Sequence, residues 1–356
     1  MGRFYLGFTS FLIGAKHPYQ NLSTYIKMKK SINLTKKQFG RLILHINELK
    51  KYGFSVKLDE FFVISCFPYL KQDIYISLNS YNFLELNNLI EVLLGAVRYG
   101  VSTTLVNSDG KNNVRGKIVY KFPLILDIQS KVITLDLNIR YFLDSLDPNI
   151  LIETYFEEIH KIFPNDYETV LDVGAAFGDT ALYYLRRGKK VIALEPVNYG
   201  LLTRNVDFNG ITKDFTAYEV AIGSNGTLKI HKNNSFFDGG AAAFGNNINK
   251  TFVNVNSMSL SRFFDTNSIR YVDLAKFDCK GCEFSLDAND LSYIKKYLII
   301  EYLTMDSQSL SKLLKRLEDS GFNFQIKSVN YHYVKGMNLT GTIIAYRLKP
   351  SDPVEN

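Results

Sequence analysis

Metal-ligating residues are scarce in this chain: its 356 residues include three cysteines and five histidines. Cys279 and Cys282 form a C-x-x-C, Cys66 stands far away, and the histidines have no paired spacing that would complete a tetrahedral zinc site, so no metal is expected. Two readings of the C-x-x-C stand side by side. A redox dithiol belongs at a helix N-terminus beside a strand, which is roughly where this pair falls. Small residues flanking a tight turn are the simpler account. Long apolar runs are also missing. No stretch approaches the roughly 18–20 uninterrupted apolar residues of a spanning helix. The nearest thing to a signal sequence, Phe4–Ile13, is broken by Gly7, Thr9 and Ser10 and has no small-residue cleavage site after it. The expected location is cytoplasmic. Internal repeats, low-complexity tracts and any aromatic-and-basic nucleic-acid module are absent, so no nucleic-acid partner is expected.

Apolar material is ample, with 46% hydrophobic residues, enough for two domains or for one core with a large N-terminal addition. The net charge of +7 is unevenly placed: residues 1–150 carry +8 and residues 151–356 carry −1. Lys27, Lys29, Lys30, Lys36 and Lys37 lie close together, a patch that suits phosphate, an acidic glycan or an anionic membrane, or forms a plain solvated face.

Local patterns divide the chain at the same place. Thr35 and Gln38 have capping-box spacing ahead of an apolar stripe, Phe39, Leu42, Ile43, Ile46 and Leu49, with Gly53 placed to close the helix. Leu84–Tyr99 reads as a second helix. Residues 101–140 read as short strands, with the clearest turn at Asn107-Ser108-Asp109-Gly110. From Leu151 an amphipathic helix runs toward Phe163, and after Pro164 strands and helices alternate. Strands are expected at Thr169–Val173, Val191–Leu194, Phe215–Ile222, Tyr271–Phe277, Tyr297–Tyr302 and Gly341–Arg347. Helices are expected at Asp179–Arg187, Tyr199–Phe208, 284–294 and 307–320. Such alternation predicts an α/β fold with a mostly parallel sheet covered on both faces, preceded by a mixed α/β segment. The expected division is residues 1–145 and 146–350.

The first of these strands runs into Leu171-Asp172-Val173-Gly174-Ala175-Ala176-Phe177-Gly178-Asp179-Thr180. A glycine turn between strand and helix lets backbone approach a ligand closely. In a dinucleotide fingerprint starting at Gly174, the last position calls for Gly or Ala, and here it is Asp179. Carboxylates at Asp172 and Asp179 repel a pyrophosphate but suit a ligand bearing an ammonium and a sulfonium, as S-adenosylmethionine does. The second strand ends at Glu195-Pro196, where a carboxylate can accept ribose hydroxyls. Asp172 as a cap and Glu195 as a solvated side chain are the structural alternatives.

Several motifs in this order resemble the FkbM family of methyltransferases over roughly residues 150–320. They are Asp172-Val173-Gly174-Ala175 with Gly178-Asp179-Thr180; Ala193-Leu194-Glu195-Pro196 with Asn205; Ala221-Ile222-Gly223 with Gly226; Asp273-Leu274-Ala275-Lys276-Phe277-Asp278-Cys279-Lys280-Gly281-Cys282-Glu283; and Ile299-Ile300-Glu301-Tyr302. The resemblance implies a class I (Rossmann-like) methyltransferase fold and methyl transfer, usually to a hydroxyl of a small molecule or sugar. The cofactor side is then Asp172, Gly174, Ala175, Gly178, Asp179, Thr180, Glu195, Pro196 and Ala221, with S-adenosylmethionine as cofactor.

On the acceptor side Asp278 is the first candidate to take or share the hydroxyl proton, and Glu283 the second. Bracing the turn at Gly281 is the alternative role for both carboxylates. Lys280 stands where the family has Glu, and Leu303 where it commonly has His. The acceptor is expected to be a small molecule or glycan, anionic if Lys280 pairs with it. An amine or carboxylate acceptor and a binding-only or inactive homologue remain alternatives. Residues 232–250, rich in Asn and Gly, read equally as a lid or as a surface loop.

Overall fold

The computed structural model describes residues 35–52, 55–58, 61–65, 74–77, 82–99, 102–107, 110–114, 123–127, 129–157, 159–232, 251–304, 307–333 and 337–347. The chain forms two compact units, Met1–Ile159 and His160–Asn356. Lys27, Lys29, Lys30, Cys66, Ser108, Asp109 and residues 233–250 lie outside the described residues. Three of the five lysines of the basic cluster, the tip of the 107–110 turn and the lid reading beyond Lys232 therefore lie there, as does Gly53.

In the first unit helix α1, Lys36–Lys51, starts on the expected capping box, with the Thr35 side chain accepting from the Gln38 backbone and Gln38 returning the bond. Its stripe of Phe39, Leu42, Ile46 and Leu49 is buried. Helix α2, Phe83–Tyr99, is closed at its start by the same device: Asn82 N–H donates to Glu85 (2.8 Å) and Glu85 N–H to the Asn82 side chain (2.9 Å). Strands β1 (Ser55–Leu58), β2 (Phe61–Ser65) and β3 (Ile74–Ser77) make an antiparallel sheet. A second sheet has the order β5-β4-β6-β7-β8, built from β4 (Ser102–Asn107), β5 (Gly110–Val114), β6 (Pro123–Asp127), β7 (Val132–Thr134) and β8 (Arg140–Phe142).

The amphipathic helix expected over 151–163 does not form. Instead α3, Pro148–Leu151, passes into a single π turn over Ile152–Phe156, closed by Glu157 N–H to the Ile152 carbonyl (3.0 Å). Leu151, Ile152, Thr154, Tyr155 and Phe156 are all buried, more consecutive burial than one stripe of an α-helix supplies, and the widened turn accommodates it.

The second unit is built on a seven-stranded sheet ordered β11-β10-β9-β15-β16-β18-β17. Its strands are β9 (Thr169–Val173), β10 (Lys190–Leu194), β11 (Phe215–Tyr218), β15 (Val272–Phe277), β16 (Ile294–Thr304), β17 (Asn323–Tyr333) and β18 (Met337–Tyr346). The first five positions pair in parallel, and β18 runs antiparallel between β16 and β17. In chain order within this sheet the arrangement is 3-2-1-4-5-7-6 with the seventh strand reversed, the class I methyltransferase topology. Helices α4 (Asp179–Leu185), α5 (Tyr199–Asn209), α6 (Leu260–Thr266), α7 (Ala288–Ser292) and α8 (Ser307–Asp319) connect the strands. Leu260, Phe263, Phe264, Leu291, Leu313 and Leu317 of α6, α7 and α8 join Leu171, Val173, Phe277 and Leu298 in one core. Val170, Asp172, Leu274 and Lys276, which alternate with those strand residues, are buried as well. Burial on both faces accounts for the near-continuous apolar strands.

Residues Phe215–Ile222, expected as one strand, divide. Phe215–Tyr218 stay in the main sheet, while Ala221–Ile222 form β12, which pairs in parallel with β14 (Thr251–Met258) in a small side sheet completed by β13 (Gly226–Lys232). The 284–294 helix is a 3-10 turn over Cys282–Ser285 followed by the short α7, which Asp287 and Asp290 cap reciprocally.

Candidate active site

Register alone brings the chemistry to one edge. Val173 lies opposite Leu194 of β10 and opposite Phe277 of β15. The next residue on each strand, Gly174, Glu195 and Asp278, therefore leaves the sheet at its carboxyl end, where the strand order reverses and open α/β sheets place ligands. Asp278 N–H donates to the Val173 carbonyl (2.9 Å), and Gly174 N–H to the Leu194 carbonyl (2.9 Å).

The glycine turn is tightly packed. Gly174 has φ +81°, and a Cβ there would stand 2.2 Å from the Asp278 carbonyl oxygen, so any side chain collides with backbone as well as being conformationally strained. Gly178, at φ +88°, faces Leu202 of α5, and Ala176 holds φ +49°. Glu195 is buried and folds the turn around itself. Its Oε2 accepts Ala176 N–H (2.8 Å) and its Oε1 accepts Val197 and Asn198 N–H (2.8 Å each). A carboxylate offers about four acceptor positions. Three are used, which leaves one on Oε2 for a ligand hydroxyl. Burial pushes its carboxyl up, and these three bonds oppose the shift. Pro196 is half-buried, and Asp179 and Thr180 at the start of α4 are buried. Thr180 Oγ1 lies 3.2 Å from Asp179 Oδ2 and 3.3 Å from His160 Nε2. Ala221 lies in β12 of the side sheet rather than at the end of β11, in a small apolar cluster against which Val197, two residues beyond Glu195, packs.

The same register pairs Asp172 with Lys276. Lys276 Nζ lies 3.7 Å from Asp172 Oδ1 and 3.9 Å from Asp278 Oδ2. Neither oxygen of Asp172 has a hydrogen-bond partner among the described residues, although the side chain is fully buried. Burial pushes its carboxyl up to about 7, and Lys276 opposes that. Burial alone would lower the Lys276 ammonium, but Asp172 and Asp278 outweigh it and keep the charge. His160 is buried beside this cluster and is held neutral, first by burial and then by the Lys276 charge. Neither Lys276 nor His160 was among the site residues expected from sequence. The signal for Lys276 was there: a lysine in an apolar strand two residues before Asp278, and an aspartate at the matching position of β9. Nothing local marks His160.

Beyond β15 the chain turns through Asp278–Glu283. Lys280 Nζ donates to Asp278 Oδ1 (2.9 Å). Burial would raise the Asp278 carboxyl, but Lys280 and Lys276 prevail and hold it below the usual range. Glu283 is fully buried. Its Oε2 accepts Gly281 N–H (2.7 Å) and its Oε1 accepts Leu303 N–H (3.3 Å), so it braces the turn. Burial pushes its carboxyl up to about 7 against those bonds. Cys279 and Cys282 are joined in a disulfide, so the pair is more than two small residues beside a turn.

The family match falls on this edge. The methyltransferase FkbM domain matches residues 172–324, from Asp172 to the first residues of β17. The matched stretch lies wholly within the second unit. Among curated proteins none matches the chain. Among solved structures the chain is similar to a provisionally assigned transferase of Pyrococcus horikoshii, at 15% identity over 65% of this chain and 79% of that one, with a TM-score of 0.37. It is similar to precorrin-6y C5,15-methyltransferase of Geobacter metallireducens at 14% identity over 55% and 89% (TM-score 0.34). It is also similar to a SAM-dependent O-methyltransferase of Thermotoga maritima at 13% identity over 70% and 79% (TM-score 0.32). At these scores the likeness carries no argument. The matched residues include the glycine turn, Glu195 and Asp278. Among the described residues no helix is long and apolar enough to cross a membrane.

Proposed function

We propose that the FkbM domain transfers a methyl group from S-adenosylmethionine to a hydroxyl of a small-molecule or glycan acceptor. The observation that carries this reading is the common edge of Gly174, Glu195 and Asp278, fixed by the Val173 register. The residues fit the cofactor. Asp172 is a buried carboxyl with no hydrogen-bond partner among the described residues, Asp179 is a second buried carboxyl, and Glu195 keeps one acceptor position open. Such a set favours a cation and a diol over a pyrophosphate. When bound, the cofactor supplies an activated methyl on a sulfonium.

The chain's own residues do the rest. The glycine turn gives backbone access, Glu195 orients the ribose hydroxyls, and Ala175, Gly178, Thr180, Pro196 and Ala221 complete the expected lining. Alignment of the reacting groups supplies much of the rate. Asp278, already ionised, accepts the hydrogen bond of the acceptor hydroxyl and shares its proton as the methyl arrives. Lys280, bound to Asp278, is available to an anionic acceptor. Glu283 supports the turn that holds both. Release of S-adenosylhomocysteine on incubation with sugar and phenol acceptors tests the reading, and cofactor binding without turnover on any hydroxyl acceptor would defeat it.

The Lys280–Asp278 pair favours a second reading, because the lysine occupies one oxygen of the candidate base. In that reading the chain is a binding module or acts on another acceptor. Lys280→Glu, which restores the family residue, separates them: turnover gained only in that variant supports the inactive module, and turnover lost supports a role for the lysine in acceptor recognition. We assign residues 1–145 as an accessory segment that holds the acceptor or a partner, residues 146–350 as the transferase, and the cytoplasm as its place of work.

A further inference from the structure

The disulfide of the second turn is not used by the methyl-transfer reading. It closes a small ring around Lys280 and Gly281, which hold φ +49° and +137°. A non-glycine residue in the left-handed region is strained and persists only where its surroundings impose it. Cys279 is partly exposed, whereas Cys282 is 8% exposed. Against the Cys279 sulfur, at 3.4 Å, lies Oε2 of Glu283, the same oxygen that accepts the Gly281 N–H. Asp278 adds its negative charge to the burial that keeps this carboxyl protonated into the neutral range. Thiol–disulfide exchange needs a thiolate to attack and a proton for the thiolate that leaves. An accessible sulfur, a sheltered partner and a protonatable carboxyl touching one of them meet those needs.

We propose that Cys279 and Cys282 form an exchangeable dithiol/disulfide site that reacts with dithiol reductants and sets whether Lys280 is held in its left-handed turn against Asp278. One thiolate of the dithiol attacks Cys279 Sγ, the Cys279–Cys282 bond breaks, and Cys282 leaves and takes a proton from water. The second thiolate of the reductant then attacks its own sulfur in the mixed disulfide. Cys279 leaves and receives the proton of Glu283, which is restored from the protons the reductant gave up. Two electrons and two protons pass to the protein, and the reductant becomes a cyclic disulfide. Reoxidation by that cyclic disulfide runs the steps backward, with Glu283 taking the Cys279 proton. Opening the ring removes the covalent restraint on Lys280 and Gly281.

The test uses the full-length folded protein in defined mixtures of reduced and oxidised dithiothreitol at pH 7, quenched with acid, alkylated and mapped by mass spectrometry so that Cys66 is counted separately. The expected result is reversible conversion of the Cys279–Cys282 pair without unfolding. Amide exchange in the peptide spanning Asp278–Leu286 should be at least tenfold faster in the reduced form. Cys282→Ser, treated with oxidised glutathione, which has no second thiol to expel Cys279, should hold glutathione on Cys279, and Glu283→Gln should slow conversion roughly tenfold or more. A disulfide that reduces only in denaturant, or a thiol pair that stays reduced in oxidised dithiothreitol, overturns the proposal. So does trapping confined to Cys282 in a Cys279→Ser variant. If Glu283→Gln fails to fold, the wild-type conversion and exchange measurements decide. None of these readouts depends on methyl transfer.

Discussion

The two turns at the carboxyl edge of the second unit are built on the same plan and end with different chemistry. Each holds one non-glycine residue left-handed, Ala176 in the first and Lys280 in the second, both at φ +49°. Each is folded around a buried glutamate that accepts backbone N–H groups: Glu195 accepts three, Glu283 two. In the first turn the remaining polar surface is backbone and two aspartates. In the second it is the Lys280–Asp278 ion pair and a disulfide, while a carboxyl raised by burial to about 7 occurs in both, Asp172 in the first and Glu283 in the second. In this unit a glutamate brace holds both left-handed turns, and the turn proposed for the cofactor differs from the one proposed for the acceptor in the charge placed beside the brace.

Lys276, between the turns, should show the largest effect when removed. Taking one partner from a buried ion cluster typically costs about 3–5 kcal/mol, and Lys276→Met should lower stability in urea by that amount at pH 7. Without the lysine the folded-state pKa of Asp172 rises further above its unfolded value. Its stabilising share is then present at low pH and lost as pH rises, so the deficit should shrink at pH 5. A deficit that grows on acidification would mean that Asp172 is not the partner that matters.

Asp278→Asn separates the turns by function. The rate of S-adenosylhomocysteine release should fall roughly 10²–10⁴-fold, with cofactor affinity nearly unchanged in calorimetry. Equal loss of both would erase the distinction between the two turns. Glu195→Ala addresses the other side. Loss of a charged hydrogen bond costs on the order of 1.5–3 kcal/mol, so cofactor should bind roughly tenfold or more weakly; unchanged binding would move the ribose contact elsewhere. The smallest effect is expected away from both turns. Thr35→Ala removes the cap of α1 and should cost about 1 kcal/mol, seen as a lower melting temperature with turnover per folded molecule unchanged.

Much of this edge was legible in the sequence because strand ends announce it. An apolar run stops at Asp172-Val173-Gly174, at Leu194-Glu195-Pro196 and at Phe277-Asp278, and parallel pairing does the rest. The capping box at Thr35 and Gln38 was equally direct. Less legible were elements whose cause is tertiary. Strand β13 has only Leu228 and Ile230 as apolar residues, β14 mixes apolar and polar residues evenly, and β17 is more than half polar at Asn323–Tyr333. The break after Tyr218 depends on which sheet Ala221 joins, and the π turn at Ile152 answers a packing demand that periodicity does not encode. The position of Glu283 was read correctly, but its two backbone bonds were beyond reach, since Leu303 is twenty residues away on another strand.

The absent side chain of Gly174 has a mechanical consequence. With the Asp278 carbonyl filling the space a Cβ would take, the two turns are in backbone contact and have little freedom to slide past each other. The edge should therefore open as one cooperative unit, with a single opening free energy. Native-state hydrogen exchange would report it as matched protection for the amides of Gly174 and Asp278, whose bonds to Leu194 and Val173 fasten the β9 turn to both of its neighbours.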